Sequence, residues 1–288
     1  MDLCNINELK PLLSRHGFRF SKSLGQNFLI APWVPERIAL ECGADGTCGV
    51  LEIGPGVGTL TRELAKRAGK VAAVELDRAL LPVLAETLAD CPNAEVISGD
   101  VMKLDLKALV SEKLAGLTPM VCANLPYNIT TPVLTRLLES GLFSAVTVMI
   151  QKEVAARICA APGSKDYGAF SVFCQYRAGC RPLFDVDPAC FLPAPKVTST
   201  VIRLIPLAAP PVAVADEGAF FAVVRAAFAQ RRKTLLNALS AVYGSRISRD
   251  DLRGAIAACG LPEDVRGERL GLAEFAVLAE RLGNRSYV

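Results

Sequence analysis

From about position 50 the chain alternates short apolar runs with stretches whose apolar residues recur every three or four positions. The first run covers residues 50–53, and the stretch 59–68 after it carries Leu60, Leu64 and Ala68 on one helical face. Strands are predicted at 71–76, 94–98, 120–123 and 145–150, with helices at 78–89, 106–114, 131–140 (closed by Gly141) and 152–160. Five strand–helix alternations imply an α/β fold, a parallel sheet covered by helices on both faces, because each parallel connection needs a crossover. Two more strands, 181–186 and the alternating 197–205, are expected antiparallel at its edge. Residues 206–218 hold three prolines and little periodicity, which predicts a linker. Beyond it the pattern is helical only. Phe220, Phe221, Val224 and Phe228 share one face, Leu235, Leu236 and Leu239 another, Ser248 with Asp251 resembles a capping box, and 272–282 is a last helix. The expected organisation is an α/β domain over 1–205, a linker over 206–218 and a small all-α domain over 219–288.

Composition narrows the chemistry. Apolar residues make up 51% and charged residues 21% of the 288 positions, enough for a sizeable core. The balance of 32 Lys+Arg against 29 Asp+Glu, formally +3, suits a nucleic-acid partner without requiring one. No apolar run approaches the roughly 18 residues of a membrane span. The first residues mix Asp2, Glu8, Lys10 and Arg15 with no apolar leader core. A cytoplasmic protein with no membrane partner is expected. The one histidine, His16, sits beside Arg15 and Gly17, which leaves little room for Ser-His-Asp, Cys-His or His-based metal chemistry. The ten cysteines form no C-x-x-C pair, and Cys122, Cys159 and Cys174 lie in apolar stretches, so they read as reduced packing residues. Cys174, Cys180 and Cys190 could bind a metal, but irregular spacing and no histidine support favour packing.

The strongest local signal is Val50-Leu-Glu-Ile-Gly-Pro-Gly-Val-Gly-Thr59, with Gly54, Gly56 and Gly58 between a strand and a helix. Such a turn lets backbone approach a ligand closely. The dinucleotide fingerprint needs a third-glycine spacing that Thr59 breaks, and Glu52 precedes the turn by two residues. Both departures favour a nucleoside with a cationic amino-acid tail, as in S-adenosylmethionine. Glu75 ends the second strand, where a carboxylate can accept from both ribose hydroxyls. Asp100 ends the third, where it can accept from an adenine amino group. Each is otherwise an ordinary turn carboxylate. All three groups belong to the carboxyl edge of the sheet, where open α/β folds bind ligands.

The fourth strand ends in Asn124-Leu125-Pro126-Tyr127, on that same edge. Alone it is a turn; beside a cofactor it has a chemical use. The exocyclic amine of adenine is a poor nucleophile because its lone pair is delocalised into the ring. The Asn124 side-chain oxygen and a main-chain carbonyl at Leu125 or Pro126 can accept its two N–H bonds, while Pro126 fixes φ and Tyr127 stacks on the base. Proximity and orientation then supply most of the catalysis.

With these residues in place, the chain resembles the ribosomal RNA adenine dimethyltransferases. The resemblance is carried in order by Gly25-Gln-Asn-Phe-Leu29, the glycine turn, Val74-Glu-Leu-Asp77, Gly99-Asp100, Asn124-Leu-Pro-Tyr-Asn128, Gln151-Lys-Glu-Val154, Pro193-Ala-Pro-Lys-Val197 and Gln230-Arg-Arg-Lys233. It runs from about Ser21 to Asn237 and is strongest toward the branch acting on small-subunit rRNA. It implies a Rossmann-like S-adenosylmethionine-dependent methyltransferase sheet that dimethylates two adjacent adenosines near the 3′ end of 16S rRNA. The resemblance implies that Asn27 and Leu29 close over the methionine end of the cofactor, that Gly54 contacts it through its main chain with Gly56 beside it, and that Glu75 binds ribose. Asp100 would bind adenine, Asn124 would bridge cofactor and amine, and Phe191 would stack on the target base opposite Tyr127; without the family, Phe191 is a core aromatic.

Affinity for RNA is expected from Arg231-Arg232-Lys233, read as opening a helix beside the linker, with Arg231 and Arg232 on phosphates and the helical domain binding RNA. The partner would be the small ribosomal subunit, not DNA, and nothing in the sequence asks for more than a monomer. The rivals are the large-subunit enzyme of the macrolide-resistance type, which shares the cofactor and Asn-x-Pro-Tyr chemistry, and a non-catalytic assembly factor on the same fold. A DNA adenine methyltransferase fits less well, because the likeness extends through both flanks.

Overall fold

The computed structural model describes residues 1–21 and 24–283; positions 22, 23 and 284–288, assigned above to the first and last domains, lie outside the described residues. The strands are β1 (Phe28–Leu29), β2 (Cys48–Ile53), β3 (Lys70–Glu75), β4 (Ala94–Ser98), β5 (Thr118–Asn124), β6 (Val146–Gln151), β7 (Ala178–Val186), β8 (Phe191–Leu192) and β9 (Ser199–Pro206). Seven of them form one sheet in the order β4-β3-β2-β5-β6-β9-β7. Strands β2 to β6 run parallel, and β9 closes antiparallel on β6. β1 and β8 form a separate antiparallel pair with Leu29 opposite Phe191.

The chain divides into two compact units, Met1–Ala155 with Cys180–Pro206, and Ala156–Gly179 with Leu207–Val288. In the first, β2 is buried along its whole length, as expected of a parallel strand covered on both faces. Val50, Met120, Cys122, Met149 and Val201 enter one apolar cluster with Val34, Ile38 and Cys42 of helix Trp33–Cys42 and Leu60 and Leu64 of helix Thr59–Ala65. A second cluster joins Leu9, Leu12 and Leu13 of helix Ile6–Arg15 to Val83 and Leu84 of helix Leu81–Thr87.

The second unit is built around Tyr167, Tyr176, Phe220, Leu239, Leu252 and Phe275. Its helices carry side-chain caps: Asp216 for Glu217–Phe228, Thr234 for Leu235–Tyr243 and the expected Ser248 for Arg249–Ala257.

Several boundaries differ from expectation. Residues 156–179 belong with the helical unit rather than the sheet unit, because Val172 and Tyr176 of helix Ala169–Arg177 are part of its core. The expected linker is shorter and not free. β9 runs to Pro206, the next helix starts at Glu217, the Leu207 N–H donates to the Arg177 carbonyl, and Val212 and Val214 pack on the helical core. The single helix expected over 78–89 is a 3₁₀ turn, Arg78–Leu80, followed by helix Leu81–Thr87, with Pro82 in its first turn where a missing N–H costs nothing.

Candidate active site

In the sheet order β2 lies between β3 and β5. Chains leaving β2 and β5 therefore turn away from each other and open a crevice at the carboxyl edge, the usual ligand position in this architecture. A cleft partly open to solvent occupies that place, with about 1070 Å³ of space when the solvent at its mouth is included. Asn27, Leu29, Gly54, Gly56, Glu75 and Asp100 line it, and so do all four residues of Asn124–Tyr127.

Gly54 and Gly56 have φ of +69° and +62°, a region that strongly favours glycine. A Cβ on Gly56 would also meet the Phe28 ring at 3.1 Å. The Glu75 carboxylate, 6% exposed, accepts from the Asp77 N–H at 2.7 Å and the Gly56 N–H at 3.3 Å, which joins the end of β3 to the glycine turn. Burial raises its pKa. Asp100 serves partly as the turn carboxylate of the simpler reading: Oδ1 accepts from the Met102 N–H at 2.9 Å. Its Oδ2 has Lys103 at 3.8 Å.

Beneath the glycine turn Glu52 is 1% exposed, and its Oε2 has no hydrogen-bond partner among the described residues. Burial, with the Glu75 charge adding to it, pushes its pKa up to about 8. Three carboxyl groups around one cleft, one of them with an unpartnered buried oxygen, fit a ligand that carries positive charge.

The Asn124 Nδ2 donates to the Asn27 carbonyl at 3.2 Å, so the amide oxygen remains as an acceptor. The Pro126 carbonyl already accepts from the Ile129 N–H and the Thr130 hydroxyl, each at 3.2 Å. Of the two carbonyls expected to receive an amine, Leu125 is therefore the better placed. The Tyr127 hydroxyl shares a 2.7 Å hydrogen bond with the Ser199 hydroxyl, and Tyr127 is half-buried. Burial raises the Tyr127 pKa, which keeps the ring neutral for stacking.

Phe191 is not brought to the cleft. It is 3% exposed and packs in the apolar cluster with Leu29, Val186 and Val201, the place of a core aromatic. The Arg231–Lys233 run does not open a helix either; it occupies the turn between helices Glu217–Phe228 and Leu235–Tyr243. All three cations are exposed; the Arg231 guanidinium also donates to the carbonyls of Lys165 at 2.6 Å and Tyr167 at 3.2 Å, bracing its own unit.

The sequence reading missed three polar groups. Ser199 shows only as a hydroxyl on the buried side of an alternating strand. Gln26 donates to Asp77 Oδ2 at 2.7 Å and accepts from the Ser21 N–H, tying the N-terminal segment beside Glu75. Arg136 reaches main-chain carbonyls of the loop after β4. Neither of these two contacts has a spacing signal.

Among the described residues no helix is long and apolar enough to cross a membrane. The family model for ribosomal RNA adenine dimethylase matches residues 17–253. The chain is 47% identical to a ribosomal RNA small subunit methyltransferase A of Alkaliphilus oremlandii, covering 96% of each chain. It is 46% identical to that of Geobacillus thermodenitrificans, covering 98% of this chain and 97% of the relative. Among solved structures, a dimethyladenosine transferase from Plasmodium falciparum superposes with TM-score 0.73 at 22% identity, covering 90% of this chain and 98% of that one. The 23S rRNA methyltransferase ErmE gives TM-score 0.67 at 27% identity, covering 89% and 100%. A cleft built from the ends of four parallel strands, and likeness along almost the whole chain, agree: the protein belongs to the ribosomal RNA adenine dimethylase family.

Proposed function

We propose that this enzyme transfers methyl groups from S-adenosylmethionine to the N6 amines of two adjacent adenosines near the 3′ end of 16S rRNA. The observation that carries the reading is the near-full-length identity of 44–47% to relatives named for the small subunit. The large-subunit enzyme ErmE, at 27%, is more distant. On this reading the enzyme works in the cytoplasm, as a monomer, on the small ribosomal subunit rather than on DNA.

When bound, the cofactor supplies an electrophilic methyl group on a sulfonium. Every other part of the chemistry is positioning by this chain. Glu75 holds the ribose hydroxyls, Asp100 the adenine amino group, and Glu52 lends negative charge beneath the tail. The Asn124 amide oxygen and the Leu125 carbonyl accept both N–H bonds of the target amine. That fixes the direction of its lone pair and stabilises positive charge as it develops on nitrogen. Tyr127, its hydroxyl held by Ser199, presents a ring face to the base. Phe191 serves from the core, by supporting Leu29.

The decisive experiment incubates the protein with labelled S-adenosylmethionine and unmethylated small or large ribosomal subunits, then digests the RNA for mass analysis. N6,N6-dimethyladenosine from the small subunit is expected. Label in the large subunit alone would overturn the reading in favour of the macrolide-resistance type, and label in neither would support a non-catalytic assembly factor.

Subunit affinity should depend on phosphate contacts in the helical unit, from Arg231 and Arg232 together with the exposed Lys233 beside them. Replacing Arg232 and Lys233 with alanine should flatten the dependence of log affinity on log salt by roughly 0.7–0.9 for each lost contact. Cofactor affinity should stay unchanged. Parallel salt plots for the double variant and the wild type would show that neither cation touches a phosphate.

A further inference from the structure

The loop after β4 carries Asp100, and the Gly99 N–H just before it donates to the Glu75 carbonyl of β3 at 2.9 Å. The internal bonds of the loop all return to one residue. The Asp100 carbonyl accepts from the N–H groups of Lys103 at 2.8 Å and Leu104 at 3.0 Å, and Oδ1 accepts from Met102. The Met102 and Leu104 carbonyls are not used within this turn. Both receive the same side chain: Arg136 donates from Nη1 to Met102 and from Nη2 to Leu104. A planar guanidinium can serve two carbonyls at once in a fixed orientation, which a lysine cannot do. Among the described residues Arg136 forms no ion pair, so these carbonyls are its partners.

The location of Arg136 gives the contact its meaning. It lies on helix Thr130–Ser140, which starts three residues after Tyr127, and is half-buried beside Val133 and Leu137 of the packed face. In the sheet β4 and β5 are separated by β3 and β2, so no ladder hydrogen bond links the end of one to the end of the other. Arg136 spans that gap. Val101, between Asp100 and the first clamped carbonyl, is 6% exposed and lines the cleft, so a shift of the loop changes the cleft wall.

We infer that Arg136 is a positioning residue that locks the Asp100 loop to the helix growing out of Asn124–Tyr127, and so sets selectivity for the adenine amino group. The inference rests on the reading of Asp100 as the acceptor of that amino group. Arg136 touches neither cofactor nor substrate; it acts by holding the carboxylate in register with the rest of the cleft.

The test compares binding of S-adenosylhomocysteine with that of S-inosylhomocysteine, whose 6-oxo group cannot donate. The wild type should prefer the adenosyl compound by about tenfold or more, the loss expected when a charged acceptor keeps no donor. Arg136→Met, which retains an apolar stem, should shrink the preference to within about threefold. It should also raise KM for the cofactor without raising KM for the ribosomal subunit. Arg136→Lys should fall between the two, and it carries the test if the methionine variant does not fold. Equal weakening of both compounds, with the preference intact in either Arg136 variant, would mean that Arg136 merely stabilises the fold and would overturn the inference. Asp100→Ala separates the two levels. If it retains the preference, the reading of Asp100 itself fails; if it loses the preference while both Arg136 variants keep it, only the role of Arg136 fails.

Discussion

Replacing Asn124 with alanine is expected to slow the single-turnover methylation rate by about 10²–10³-fold, the usual loss when one preorganised acceptor or donor at a charge-developing centre is removed. The residue ends β5, in register with Met149 of β6, so its backbone is fixed by the sheet. Its side chain is fixed by the bond from Nδ2 to the Asn27 carbonyl. The remaining amide oxygen is thus presented without further ordering. Its bond to the amine strengthens as the nitrogen becomes positive, so the loss should fall on the chemical step and leave subunit affinity within a few-fold of the wild type. Asn124→Asp keeps an acceptor but loses the donor to Asn27, and its rate should lie between the two. The measurement is the burst of product from preformed enzyme–subunit complex with saturating cofactor. A burst rate within a few-fold of wild type for Asn124→Ala would remove Asn124 from the reaction.

Much of this site was legible because strand ends are legible. A parallel strand buried on both faces reads as an apolar run, and the polar residue that ends it stands out. Glu75, Asp100 and Asn124 were placed in this way, and the sheet order brings all three to one crevice. The likeness to the family supplies Asn27 and Leu29, because the two-residue strand Phe28–Leu29 is too short to show a period.

The failures have physical causes as well. Arg231–Lys233 are expected to open a helix, yet helix Glu217–Phe228 ends before them and the next is capped by Thr234, which leaves the three cations in the turn between. Helix Ala169–Arg177 escapes prediction because it has no exposed face, and its polar Ser171 and Gln175 turn inward onto the carbonyls of Arg157, Ile158 and Ala160. Phe170 and Phe173 stack on each other while Val172 and Tyr176 face the core, so no amphipathic stripe marks it. Phe191 carries a role in the family likeness, but its strand partner, Leu29, belongs to the core as much as to the cleft. Contacts such as Gln26 to Asp77 join residues 51 positions apart and have no local signature.

Glu75→Ala is expected to weaken S-adenosylmethionine binding by about 1.5–3 kcal/mol, the range for hydrogen bonds to a charged group, or roughly 10- to 150-fold in Kd. The same titration should expose Glu52 through pH. Burial first, and the Glu75 charge after it, push the Glu52 pKa from 4.5 up to about 8. At neutral pH the empty site therefore holds Glu52 mostly protonated. A cationic ligand prefers the carboxylate, so affinity should climb as pH rises toward 8 and level off above it, with a proton released on binding below that point. The folded chain without ligand shows the opposite trend. It keeps this proton to a higher pH than the unfolded chain does. The stability contributed by Glu52 is therefore complete below about 4.5 and is lost as pH rises through about 8. Glu52→Gln cannot titrate, and it should remove both the climb in affinity and this part of the fall in melting temperature. Calorimetry from pH 6 to 9 on the wild type, Glu75→Ala and Glu52→Gln reads all of this in one series. Unchanged affinity in a folded Glu75→Ala variant would remove Glu75 from the ribose site. A pH-independent wild-type affinity would show that Glu52 does not sense the charge of the ligand.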